Sequence, residues 1–145
     1  MPMDIRTRVD KLVRKYKTRN PLEMIKGMNA IVVFYPLHGV RGFYQYFQRN
    51  NIIYIDESLS DTDKLFVLAH EMGHMILHRK SNAIFMDTRT HFKTTQYETE
   101  ANKFAIELLL DTDTLNEYLE SGYSKEQISR ITGYSMNLID LKLRD

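Results

Sequence analysis

The chain contains no cysteine among its 145 residues. Disulfide bridges and thiolate metal sites are therefore excluded, and any bound metal must take its ligands from histidine and carboxylate side chains. No run of apolar residues approaches the length of a membrane span, and the first residues lack the apolar segment of a signal peptide. These absences predict a cytoplasmic protein with no membrane partner.

The chain also has little net charge, with 20 Lys and Arg residues against 19 Asp and Glu residues. A formal net charge of +1 gives no strong attraction to nucleic acid or to an anionic membrane. Basic residues do gather between Arg6 and Arg19, where apolar residues share one helical face: Val9, Leu12, Val13 and Tyr16. The basic residues are interpreted as the solvated side of this helix, with a partner-binding patch as the alternative.

Length and patterning predict one domain of the α+β class, rich in helix, with one small sheet. A first helix is predicted from about Asp4 to Lys17. Three segments rich in β-branched and aromatic residues follow: "AIVVFYP", "GFYQYFQ" and "NIIYID". They predict a three-stranded meander, and the turn residues that bound its strands are Gly39, Gly42, Asn50 and Asn51.

The remainder of the chain is predicted to be helical. One helix begins at Ser60, with Asp63 completing a capping box, and continues to about Arg79. A connecting loop over residues 81–93 leads to a further helix that begins near Thr94 or Thr95. After residue 111, the pattern predicts two or three short helices broken at Gly122 and Gly133.

The helix from Ser60 carries His70, Glu71 and His74 in an H-E-x-x-H pattern. Each residue of an α-helix advances by about 100°, so the two histidines project from one face and can bind one ion. Zinc accepts neutral imidazole nitrogens. Glu71 lies about 100° round from His70, where it can take a proton from the attacking water and pass it to a leaving amine.

Such a short pattern also occurs by chance, and its context favours a site. A separate core face is formed by Leu65, Leu68, Met72 and Ile76. Gly73 inside the helix costs about 1 kcal/mol relative to alanine, which indicates that something approaches the backbone closely there. His78 is interpreted as packing near the site or orienting a neighbour, with metal ligation as the alternative.

The third ligand is expected from the next helix, which offers Glu98 and Glu100. They differ by about 200° on a helix, so they cannot serve the same site. The small residues Ala101 and Ala105 flank the Glu98 face and allow two helices to approach closely. Glu98 is therefore the predicted ligand, and Glu100 is predicted to point away from the site. The alternative for Glu98 is a capping box with Thr95.

Asn102 points the same way as Glu98 and can hold His70 or His74 by its second ring nitrogen. It is therefore predicted to support the metal site without binding the ion. Three residues are candidates for stabilising the oxyanion, and the sequence does not rank them: Tyr97, His78 and His91.

In its H-E-x-x-H motif and in the segment that contains Glu98 and Asn102, the chain resembles the ImmA/IrrE-type metallopeptidases. The resemblance covers about Ile31 to Leu110 and rests on "IIYID", "KLFVLAHEMGHMILH" and "ETEANKFAIELLL". It implies a zincin-like, gluzincin-like fold that binds Zn²⁺, with Glu71 as general base and three ligands: His70, His74 and Glu98. Family members often have "LLMP" after the second motif, and the "LLLD" of this chain departs from it at a helix end, away from the chemistry.

The resemblance also implies an organisation and a biology. Residues 1–110 would form the metallopeptidase domain, with its core at 31–110, and residues 111–145 a helix-turn-helix-like tail packed on it. The implied function is zinc-dependent cleavage of a helix-turn-helix repressor of a mobile element, which relieves repression. The alternatives are a non-catalytic zinc-containing regulator that binds a repressor or DNA, and a toxin-like peptidase of a toxin–antitoxin pair.

The tail raises the question of DNA binding, because residues 124–143 read as a helix, a glycine-containing turn and a second helix. A DNA reader needs base-contacting side chains early in the second helix. The residues there are Met136, Asn137 and Leu138, which offer one polar group and no basic cluster. The tail is therefore interpreted as a packing module or protein-partner surface, with DNA binding as the alternative.

Overall fold

The computed structural model describes residues 4–79 and 91–144, with side chains from residue 95 onward in the second range. Within these ranges the helices are α1 (Ile5–Tyr16), α2 (Pro21–Lys26), α3 (Asp61–His78), α4 (His91–Leu109), α5 (Thr112–Glu120), α6 (Lys125–Thr132) and α7 (Met136–Leu143). The strands are β1 (Ala30–Tyr35), β2 (Gly42–Phe47) and β3 (Asn50–Asp56). The predicted helix-rich α+β fold with a small sheet is confirmed. Residues 81–90 of the predicted loop lie outside the described residues. Residues 91–93 belong to α4, so the prediction that this helix begins near Thr94 or Thr95 is wrong.

The order of the strands is β1–β3–β2, with β1 parallel and β2 antiparallel to β3. The prediction of a meander is wrong, because a meander would place β2 in the centre. The central place belongs to β3, whose Ile53 and Ile55 are both 0% exposed. A strand this apolar is most stable with a neighbour on each side and a helix layer on one face. As a result, β2 is an edge of the sheet.

The turn between β2 and β3 also differs from its prediction. It consists of Gln48 and Arg49, with φ angles of 49° and 65°. Positive φ at both central residues is the geometry of the two-residue hairpin turn that matches the twist of the flanking strands. Asn50 and Asn51, predicted as turn residues, instead belong to β3, and the Tyr44 hydroxyl donates to Asn51 Oδ1 at 2.6 Å.

Helix α3 lies between the sheet and α4, and Ser60 caps its N-terminus, which confirms one of the two hydrogen bonds of the predicted capping box. The Ser60 side chain accepts a hydrogen bond from the Asp63 backbone N–H. The close approach expected at Gly73 is confirmed, and its partner is α4. A Cβ atom added there would lie 3.1 Å from both the Ala101 Cα and the Phe104 Cβ. The small residues on both helices therefore allow the contact that brings α4 to the histidine face of α3.

Gly73→Ala is expected to lower the free energy of unfolding by about 1 kcal/mol. The new methyl group meets α4 backbone, and overpacking of about 1–3 kcal/mol outweighs the gain of about 1 kcal/mol in helix propensity. Denaturant titration measures the change. Thr99→Ala, on the exposed side of α4, is the control and should cost nothing. A Gly73→Ala variant at least as stable as the parent would contradict this packing.

The last three helices pack back onto α4 and are separated at Gly122 and Gly133, as predicted. They enclose a second apolar cluster: Ile106, Leu110, Leu115, Ile128 and Ile139. Beside this cluster the buried Glu107 accepts hydrogen bonds from Arg6 of α1 and Lys142 of α7, and pairs with Lys103 at 2.9 Å. The division of the chain at residue 110 stays a prediction. Among the described residues, no helix has the length and apolar character needed to cross a membrane.

Candidate metal centre

His70 and His74 project from one face of α3 towards Glu98 on α4. The Nε2 atom of His70 lies 3.1 Å from Glu98 Oε2, and that of His74 lies 2.8 Å from Glu98 Oε1. One ligand atom from each of the three residues lies within 4.8 Å of the other two. The structure therefore brings together the three residues that were predicted as ligands, and this cluster is the group that could hold a metal in the described part of the chain.

Glu98 is positioned by the middle of α4 and not by its end. The helix begins at His91, so Thr95 does not cap it, and the alternative of a capping box with Thr95 is wrong. Hydrogen bonds from His70 and His74 hold the pKa of Glu98 far below its ordinary value. The carboxyl group is therefore ionised, which is the state that binds a metal.

His70 is held from behind by Asn102, as predicted for this amide. The His70 Nδ1 lies 2.8 Å from Asn102 Oδ1. An amide oxygen only accepts, so Nδ1 carries the proton and Nε2 faces the carboxylate. Burial lowers the pKa of His70, but the hydrogen bond with Glu98, the charges of Glu71 and Glu98 and the hydrogen bond with Asn102 together outweigh burial, so the pKa lies above its ordinary value. A cation between Nε2 and Glu98 can replace that second proton, and two imidazoles with one carboxylate suit zinc.

Glu71 lies beside this cluster and not in it. It is 7% exposed and lines a cavity of about 370 Å³ together with His70 and Glu98. Burial raises the pKa of its carboxyl group above the ordinary value. The carboxylate therefore takes up a proton more readily than an exposed glutamate does, which suits a general base.

Strand β2 passes directly in front of Glu71 because its first residue is glycine. A Cβ atom at Gly42 would lie 2.5 Å from Val67 Cγ1 and 2.7 Å from the Tyr54 carbonyl oxygen. No larger residue fits without moving the strand away from α3. The same Cβ position lies 3.8 Å from Glu71 Cγ, so the edge of the sheet begins at the cavity that Glu71 lines.

The cleft continues beyond this cavity. A second cavity of about 220 Å³ shares Arg41 and Phe66 with the first, and its other wall includes Tyr134, which joins α6 to α7, and Leu138 in the first turn of α7. The tail thus forms part of the groove. Arg41 and Phe66 carry no local signal in the sequence, because their place in the groove depends on the strand order and on the packing of the tail.

Glu100 contacts the site indirectly, so the prediction that it points away is wrong. Its Oε1 lies 2.8 Å from His78 Nε2, and His78 Nδ1 lies 3.0 Å from His74 Nδ1. His78 lies one turn beyond His74 on α3 and reaches across to α4. The prediction that His78 packs near the site is confirmed, and that it orients a neighbour stays a prediction. Burial lowers the pKa of His78.

The three candidates for oxyanion stabilisation now differ in their surroundings. Both ring nitrogens of His78 have the partners given above, so this residue does not face the cavity with a donor. The Tyr97 ring packs on His78 with their centroids 4.3 Å apart. The side chain of His91 lies outside the described residues.

A helix with H-E-x-x-H beside a carboxylate from the next helix is the arrangement of metallopeptidases as a class. The model of the IrrE N-terminal-like domain, peptidase family M78, matches residues 27–144, and the chain belongs to this family. The family implies a bound metal ion. The resemblance that was based on the two motifs is therefore confirmed.

Two relatives resemble the chain over most of its length. It is 39% identical over 139 residues to "Uncharacterized immunity region protein 2" of Bacillus phage phi105, and this alignment covers 95% of the chain and 88% of the relative. It is 29% identical over 143 residues to "Metallopeptidase ImmA" of Bacillus subtilis strain 168, and this alignment covers 96% of the chain and 83% of the relative. The name of the Bacillus subtilis relative supports the assignment to the metallopeptidases, and the name of the phage relative refers to an immunity region.

Proposed function

We propose that this protein is a zinc-dependent endopeptidase of the cytoplasm that cleaves a helix-turn-helix repressor of a mobile element and so relieves repression. The activity rests on one observation: His70, His74 and Glu98 converge beside the buried carboxyl group of Glu71. The substrate follows from the resemblance, and the name of the phage relative supports it.

The chemistry divides between the ion and the chain. His70, His74 and Glu98 would hold zinc, which supplies Lewis-acid polarisation of the peptide carbonyl and lowers the pKa of water. Glu71 takes the proton of the attacking water and delivers it to the leaving amine. The burial that raises the Glu71 pKa brings this carboxylate closer to the proton affinity that both transfers need.

The substrate would bind as an extended strand along β2. Its first residue, Gly42, lines the cavity beside Glu71, and β2 is an edge strand in the described sheet. Backbone hydrogen bonds to an edge strand hold many sequences equally well. Specificity then comes from the groove between α3 and the tail, where Phe66 and Leu138 offer apolar surface.

Direct DNA binding is not proposed, because three of the four lysines and arginines in residues 111–145 form ion pairs within the protein. Lys142 is 1% exposed and pairs with Glu107, while Lys125 forms an ion pair with Asp140. Few lysines or arginines of α6 and α7 are left to contact phosphates. The helix-turn-helix-like pattern is used here for packing on α4.

The test is incubation of the purified protein with the repressor encoded beside it, with fragments identified by mass spectrometry. Cleavage that stops on chelation and returns with zinc supports the proposal. Binding of the repressor without cleavage would favour the non-catalytic regulator, and cleavage of an adjacent antitoxin would favour the toxin-like peptidase. An operator gel shift that survives moderate salt would favour DNA binding.

Metal content is expected to fall as the solution is acidified. His70 and His74 must be neutral to bind zinc, so protons compete with the metal. Burial lowers the pKa of His70, but the hydrogen bond with Glu98 and the charges of Glu71 and Glu98 together raise the pKa above its ordinary value. Zinc per chain, measured at a fixed free zinc concentration close to the dissociation constant, should therefore begin to fall above the ordinary histidine pKa of about 6.5. If activity disappears at low pH while zinc stays bound, the loss would be assigned to protonation of Glu71.

A further inference from the structure

We propose that Glu100 and His78 form a positioning relay behind the metal centre, which fixes the tautomer of His74 and presents its Nε2 to the ion. The relay rests on the proposed function only in taking His74 as a ligand. Its members lie in one line of contacts: Glu100 Oε1 to His78 Nε2 at 2.8 Å, and His78 Nδ1 to His74 Nδ1 at 3.0 Å.

The chemistry of these contacts permits one arrangement of protons on neutral rings. A carboxylate only accepts, so His78 Nε2 must carry a proton and donate it to Glu100. The other nitrogen of a neutral His78 is then an acceptor, and His74 Nδ1 must donate to it. This leaves a lone pair on His74 Nε2, the atom that lies 2.8 Å from Glu98 Oε1. Glu100 therefore sets the tautomer of two histidines in series.

Burial leaves the two histidine rings no other arrangement of protons. The side chains of His74 and His78 are 4% and 3% exposed, so little water is present to offer either ring another partner. Tyr97 packs on the His78 ring and limits its rotation. A wrong tautomer of His74 would leave a buried nitrogen unpaired or direct a proton at the ion.

The relay also distinguishes the two histidines. His70 is held by the neutral amide of Asn102, whereas His74 is connected through His78 to an anionic carboxylate. Partners of this kind raise the basicity of a ligand and fix its ring, and their loss commonly costs 10–100-fold in metal affinity. Because His78 lies on α3 and Glu100 on α4, the relay also ties together the two helices that supply the ligands.

The experiment measures zinc affinity by competition with a chelator in the full chain. Glu100→Ala should bind zinc about 10–100-fold more weakly, while the metal-free protein stays folded at the temperature of the titration. Glu100→Gln keeps an oxygen that accepts from His78, and should recover much of the loss. Glu117→Ala, which removes an exposed glutamate of α5, should match the parent.

Two further measurements separate positioning from a structural role. His78→Ala combined with Glu100→Ala should lose no more affinity than the greater single loss, because the two residues act in series. Nitrogen NMR of the histidine rings should show the proton of His78 on Nε2 in the parent chain, and a mixture of tautomers in Glu100→Ala.

Glu100→Ala with parental zinc affinity would overturn the relay. So would a Glu100→Gln variant no better than Glu100→Ala, or losses that add in the double variant. A parent chain that binds no zinc would overturn the relay together with the metal centre. A parent chain that binds zinc and shows these effects but cleaves no repressor would leave the relay standing and overturn only the proposed activity.

Discussion

Glu71→Gln is expected to lower the rate of repressor cleavage by about 10²–10⁴-fold, the range typical for loss of a general base, while zinc content stays at the parental level. Glutamine has nearly the shape of glutamate but cannot accept the proton of the attacking water. Glu71 is outside the cluster of potential ligands, although it lines the same cavity. The substitution therefore separates proton transfer from metal binding.

The measurement pairs a cleavage time course with the zinc-to-protein ratio of the same sample. Glu57→Gln is the matched control, because Glu57 is exposed in the turn that follows β3, and this variant should cleave at the parental rate. Loss of zinc from a folded Glu71→Gln protein would show that Glu71 is a ligand. Cleavage at an undiminished rate would show that another group acts as the base.

The H-E-x-x-H face was predictable because its information is local. The rotation per residue of an α-helix fixes which side chains share a face, whatever packs around them. The same rule placed Glu98 and Asn102 on one side of α4, and the structure finds both at the histidines. Gly73 added a signal for close packing, since a glycine inside a helix is unfavourable without a reason.

Glu100 was assigned wrongly because the position of a residue around a helix does not tell which side chains of a neighbouring helix it can contact. His78 extends from α3 one turn beyond His74, and its Nε2 lies 2.8 Å from Glu100 Oε1. That encounter depends on the spacing and register of two helices. A histidine one turn after H-E-x-x-H and a second glutamate near the third ligand were the available signals, and only the packing connects them.

The order of the strands in the sheet could not be predicted from the local sequence of each strand either. Each strand was recognised from its β-branched and aromatic residues, but their sequence does not state which strand takes the centre. The turn at Gln48 and Arg49 lacks the glycine or asparagine that marks such hairpins. The parallel pairing of β1 with β3 is a long-range contact. It matters for function because it makes β2 the edge that borders the cleft.

Glu98→Gln is expected to weaken zinc binding by more than the ~100-fold that loss of a supporting partner costs. A neutral amide is a poor substitute for a carboxylate at Zn²⁺. The fold should survive, because the Glu98 side chain is half-exposed and lies within α4. Circular dichroism should therefore match the parent, while chelator competition shows the loss of affinity and cleavage disappears at limiting zinc.

Glu100→Gln is the matched comparison, since it makes the same chemical change two residues along α4. It keeps an acceptor for His78, so its loss of zinc affinity should be small beside that of Glu98→Gln. The opposite ranking would mean that Glu100 is the ligand and that α4 is rotated relative to α3, and Asn102 would then no longer face His70. Equal, severe losses would instead point to a general weakening of α4, which the thermal midpoints of the two metal-free variants would reveal.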